Sequence, residues 1–74
     1  MRTINIRLHS IGDVKEFVNI MNHVEDDATL FDGLYTVNAK SIMSILSIRL
    51  SRPLELTVEN WKSEYINLLD KYII

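Results

Sequence analysis

Two stretches of strict apolar–polar alternation, one near each end of the chain, restrict the fold more than any other feature. In Thr3–Leu8 (T-I-N-I-R-L), Ile4, Ile6 and Leu8 fall on one face; in L-E-L-T-V at 54–58, Leu54, Leu56 and Val58 do the same. A period of two belongs to a strand with one face against an apolar layer and the other in water. Each such strand needs a cover, and each is followed by apolar residues at helical spacing. Val14, Phe17, Val18, Met21 and Val24 predict an amphipathic helix over 11–24. Ser10, with Asp13 three residues on, predicts a capped start for it. Trp61, Tyr65, Leu68, Leu69 and Tyr72 predict a closing helix, with Asn60 as its N-cap. Glu25-Asp26-Asp27 reads as a turn or an exit, because acidic groups are unfavourable near a helix C-terminus.

The middle of the chain supplies the rest. Ala28–Phe31 is a short strand, Asp32-Gly33 is a two-residue hairpin signal, and Leu34–Val37 returns antiparallel. The segment V-N-A-K-S-I-M-S-I-L-S, Val37 to Ser47, then reads as a strand end, a serine in capping position and a short helix over 41–48. Ile42, Met43, Ile45 and Leu46 wrap too widely to share one side of that helix. Ile42 and Ile45 are therefore expected inward, Met43 and Leu46 outward. Arg49–Arg52 is a basic connection, and Pro53, which lacks an N–H, suits the start of the last strand. The order β-α-β-β-α-β-α predicts an α+β two-layer sandwich, three helices on one face of an antiparallel sheet. Ile6, Phe17, Met21, Leu56, Trp61 and Leu68 are the expected core.

Composition narrows the function classes. Seventy-four residues allow one domain, 1–74, with a thin core. A hydrophobic content of 47% with mixed charge describes a folded chain rather than a disordered one. The absence of cysteine excludes a disulfide framework and a thiolate metal site, and fits a reducing cytoplasm, the expected location. A net charge of −2 offers no basic field to nucleic acid or an anionic membrane, so neither is an expected partner. The apolar runs are too short to span a bilayer, and the N-terminus carries no signal-peptide pattern.

Candidate chemistry is sparse. His9 follows Leu8 on the polar side of a strand end, where a solvent-facing residue is the plain reading. His23 lies near the C-terminal end of the first helix, where its positive form would soften the helix dipole. His9, Ser10 and Asp13 are too close in sequence to be read as a triad. Asp26-Asp27 has no partners at metal-ligand spacing, and there is no glycine-rich phosphate loop. No metal, cofactor or catalytic residue is expected. Ser41 stands where a helix start favours negative charge. Most serines in that position are simply caps, and a phosphate acceptor is the sharper alternative.

The segment V-N-A-K-S-I-M-S-I-L-S resembles the regulatory-serine segment of the HPr family, the small phosphocarriers of the bacterial sugar phosphotransferase system. Family members commonly read V-x-A-K-S-[IL]-[ML]-x-[ILV]-[ML]-x there, which puts Ser41 on the family's phosphorylatable serine. The spacing from Phe17-Val18 to Ser41 and the strand L-E-L-T-V also match. The resemblance implies a sheet of order 1-4-2-3 and an exposed apolar patch at Met43 and Leu46. With Lys40 and Ile42 these form the expected partner-binding surface, its partners proteins such as a serine kinase or a transcriptional or metabolic regulator. It departs at the family's G-x-H-x-R-P signature, whose histidine takes phosphate originating from phosphoenolpyruvate. Here the segment is H-S-I-G-D-V: Ser10 falls at the histidine position, Gly12 at the arginine and Asp13 at the proline, in a loop about three residues shorter. Loss of the histidine with retention of the serine is also a feature of the catabolite-repression HPr homologue. The expected function is a non-catalytic regulatory or binding protein related to that system. An active carrier using His9, and an interaction module outside the pathway, are the rivals.

Overall fold

The computed structural model describes residues 1–74. The elements are β1 (Arg2–Ile6), α1 (Ile11–Met21), β2 (Ala28–Phe31), β3 (Thr36–Asn38), α2 (Ile42–Leu46), β4 (Leu54–Val58) and α3 (Glu64–Leu69), closed by a 3-10 turn (Asp70–Tyr72). The strands form one antiparallel sheet in the order β1-β4-β2-β3, and the two alternating stretches pair with each other, β1 at the edge and β4 inside. Ile6 stands opposite Leu54 and Ile4 opposite Leu56, so both apolar faces look the same way. Ile6, Leu30, Leu54, Leu56 and Val58 are buried under the helices, whereas Thr3, Asn5, Thr29 and Glu55 face solvent. The α+β sandwich with order 1-4-2-3 is therefore realised.

Helix α1 buries the stripe Val14, Phe17, Val18 and Met21. It ends at Met21, three residues before the expected limit, and is closed by N–H bonds from Asn22 to the Val18 carbonyl and from His23 to the Ile20 carbonyl, both 2.9 Å. Val24 is still fully buried, as a residue of the exit rather than of the helix. Strand β1 likewise stops at Ile6, while Leu8 beyond it keeps the inward phase and is fully buried.

Three further expectations are corrected. The hairpin loop has four residues, Asp32–Tyr35, because Phe31 pairs with Thr36. Asp32 is no surface turn residue: it is 1% exposed, and its Oδ1 accepts the N–H groups of Leu34 and Tyr35 at 2.8 and 2.7 Å. That bond pattern holds a wider turn, with Gly33 at φ 101°, where glycine has no Cβ penalty. Asn60 caps no helix. Its side-chain amide donates to Asp26 at 3.0 Å, and α3 begins at Glu64. Tyr65, Leu69 and Tyr72 then form the inward i, i+4, i+7 stripe, which leaves Leu68 on its margin at 47% exposure and Trp61 only half-buried.

The chain end gives β1 a cover on its free edge. Arg7 N–H donates to Tyr72 O at 2.8 Å, Ile74 N–H donates to Asn5 O at 3.1 Å, and Ile6 bridges to Ile73. An edge strand covered in this way is shielded from pairing with another chain. Phe17 and Tyr72 meet edge-to-face under this strap. No helix is long and apolar enough to cross a membrane.

Candidate functional site

Two helix starts carry the residues singled out by the sequence. At the start of α1, Ser10 is the N-cap in extended backbone, and its hydroxyl accepts the Asp13 N–H at 3.0 Å. The Asp13 carboxylate reaches back to accept the His9 N–H at 2.9 Å. This reciprocal arrangement satisfies donors that would otherwise be orphaned, and it leaves the helix start holding its own anion. Gly12 is exposed, and a Cβ built there would meet nothing nearer than Ser10 Oγ at 3.6 Å. A larger side chain would fit at that position, and the backbone does not require glycine.

The side chain of His9 is exposed and takes part in no ion pair. His23 is exposed as well, with its Nδ1 at 3.0 Å from Asn19 O. One turn into α1, Glu16 pairs with Lys71 at 2.7 Å. That hydrogen bond lowers the Glu16 pKa and raises that of Lys71. Burial, followed by the nearby Glu16 charge, pushes the Tyr72 hydroxyl up. The ammonium of Lys71 is thus committed to α1's second turn and is not offered to a ligand at its first.

At the start of α2, the Ser41 hydroxyl accepts the Ser44 N–H at 3.3 Å, the expected cap, and the residue remains partly accessible. Asn38 supports the same turn: its side chain accepts the Lys40 N–H at 2.9 Å and its carbonyl accepts the Ser41 N–H at 3.2 Å. The four apolar residues divide as their spacing required. Ile45 is fully buried and Ile42 packs on the core, while Met43 is 78% and Leu46 39% exposed. Ile42 also lines a shallow groove with Lys15 and Val18 of α1 and its C-cap Asn22. Lys40 is not free beside the serine: its ammonium donates to the Val24 carbonyl, fastening the start of α2 to the exit of α1.

Arg49 and Arg52, the ends of the basic connection that precedes β4, are placed at the hairpin loop. The backbone N–H of Arg49 donates to Asp32 Oδ2 at 3.1 Å and its Nε lies 3.6 Å from the same oxygen. These bonds, led by those from Tyr35 and Leu34, hold the Asp32 carboxyl far below the usual carboxylate range. Asp-Gly marks a turn whether or not the aspartate is buried, so the sequence carried no signal for the Asp32–Arg49 link.

A comparison with solved structures settles the architecture. The crystal structure of HPr-C-His from Thermoanaerobacter tengcongensis resembles this chain with a TM-score of 0.79 and 26% identity, over 99% of this chain and 91% of that one. The fold is HPr-like. No protein-family model matches the sequence, and no curated protein matches it. Within the HPr-like fold, the surface formed by Ser41, Met43 and Leu46 and the self-capped start of α1 are the two candidate sites.

Proposed function

We propose that this chain is a non-catalytic, HPr-like regulatory or binding protein related to the phosphoenolpyruvate-dependent sugar phosphotransferase system. It engages protein partners through Met43 and Leu46, with Ile42 and Lys40 at the edge of the contact and Ser41 as a phosphorylation site that changes the charge beside them. The observation that carries this reading is the exposure of Met43, 78%, on a helix whose Ile45 is fully buried. A flexible thioether held out in water suits an adaptable protein contact.

The start of α1 supports the non-catalytic half. A phosphoryl group there needs donors and a cation, as charge-assisted bonds to phosphate do. Asp13 offers an anion instead, already engaged with the His9 N–H. Transfer through His9 remains the second reading, because its ring is exposed.

The test is a labelling reaction with an HPr-directed serine kinase and ATP, run beside an authentic HPr. Acid-stable label on this chain, absent from Ser41→Ala, is the expected result. Label on the HPr alone would reduce Ser41 to a helix cap.

A further inference from the structure

Lys40 stands next to Ser41 in sequence, yet its ammonium is engaged with a neutral group. It donates to the Val24 carbonyl and so ties the start of α2 to the exit of α1. No carboxylate lies within ion-pair distance of it. Asp27 lines the same depression as Lys40 and still forms no pair with it. The positive charge of Lys40 is therefore unmatched, and an anion within reach can outcompete the carbonyl that holds it.

The surrounding bonds leave only the arm of Lys40 free to move. Its backbone N–H donates to Asn38 Oδ1 at 2.9 Å and the Ser41 N–H donates to Asn38 O at 3.2 Å, so the turn before α2 is fixed. Neighbouring Cα atoms lie about 3.8 Å apart, and the lysine stem is long and flexible. A stem that spans the gap to Val24 is long enough to turn onto a group carried by Ser41. Ser41 is partly accessible, so such a group has room. A phosphate there brings about two negative charges and several strong acceptor oxygens.

We propose that Lys40 is the switch element of this surface: a phosphate on Ser41 draws its ammonium away from the Val24 carbonyl. The event that charges the surface thus also unties the start of α2 from the exit of α1. This rests on the reading of Ser41 as a phosphorylation site and adds how the fold answers the new charge. A partner then meets the phosphate already paired with Lys40, on a helix that has lost one of its ties.

The experiment is NMR of the whole chain made with phosphoserine genetically encoded at position 41, so that no kinase takes part. It is compared with the unmodified chain, with Ser41→Asn, which keeps a capping side chain without charge, and with Lys40→Met, which keeps a flexible stem without the ammonium. The readouts are the Val24 carbonyl carbon and the Glu25 amide that shares its peptide group. Phosphoserine should move both signals toward their positions in Lys40→Met, and Ser41→Asn should leave them in place. In the Lys40→Met background phosphoserine should move them no further, the non-additivity of two groups acting through one bond. Thermal melts establish that each chain folds. Equal movement in Ser41→Asn would assign the change to the hydroxyl. Undiminished movement in Lys40→Met would assign it to another cation, such as Lys15 in the groove beside Ile42. No movement would leave Lys40 on Val24, and each of these three results overturns the proposal. A kinase that fails to label Ser41 would overturn the function above and leave this link standing, whereas an unmoved Val24 carbonyl would do the reverse.

Discussion

The Asp32 carboxylate and the backbone N–H of Arg49 meet at 3.1 Å, joining the β2–β3 loop to the chain that leaves α2. The same carboxylate holds the Leu34 and Tyr35 N–H groups, and these bonds depress its pKa in the folded state. A depressed pKa means that Asp32 contributes stability above its unfolded value, about 4, and that this contribution is lost as the pH falls toward the folded value. In Asp32→Asn an NH2 group faces a backbone N–H, and no charge titrates. The urea midpoint of the native chain should therefore exceed that of the variant near neutral pH, with the gap narrowing below about pH 4. A gap constant through that range would show that the charge of Asp32 contributes nothing.

Phe17 is fully buried, its ring edge-on to Tyr72 with centroids 6.1 Å apart. Phe17→Ala should cost about 3–5 kcal/mol, a large part of what a domain of this size holds. Denaturant unfolding measures it, and a loss below about 1 kcal/mol would contradict the packing described.

Neighbouring residues of α2 should respond in opposite ways. Met43→Ser should leave stability within about 0.5 kcal/mol, because the side chain touches mostly water. Ile45→Ala should cost about 2–5 kcal/mol, since its side chain is fully buried. Similar losses in the two variants would mean that α2 presents a different face to the sheet.

The cap at Ser41 makes a separate prediction. Ser41→Ala should lose about 1 kcal/mol through the bond to the Ser44 N–H. Ser41→Asp should be nearly neutral, because aspartate caps as well as serine. A large loss in the Asp variant would show that a negative charge cannot be held there, and phosphorylation of a folded chain would then be excluded.

What the sequence made legible is what short-range periodicity controls. The alternation of Ile4-Ile6-Leu8 and Leu54-Leu56-Val58 fixed which face of each strand is buried, and the wrap of Ile42–Leu46 fixed the outward Met43. Helix ends were less readable, because several residues compete to cap. Asn60 has the right chemistry for a cap, but α3 begins only at Glu64, and the Asn60 amide instead donates to Asp26, distant in sequence. The inward stripe of α3 is Tyr65 and Leu69, with Leu68 on its margin. Links across the fold left no local trace. Nothing near Asp32 announces Arg49, and nothing near Lys40 announces the Val24 carbonyl. The strap of residues 72–74 along β1 is likewise a tertiary pairing.

The function proposed above requires that this HPr-like fold work without phosphoryl transfer through a histidine. The direct measurement is incubation with phosphoenolpyruvate and the first enzyme of the phosphotransferase system, followed by assay for acid-labile phosphate. None is expected on this chain, while an authentic HPr in the same reaction is labelled. Acid-labile phosphate on His9, lost in His9→Ala, would contradict it.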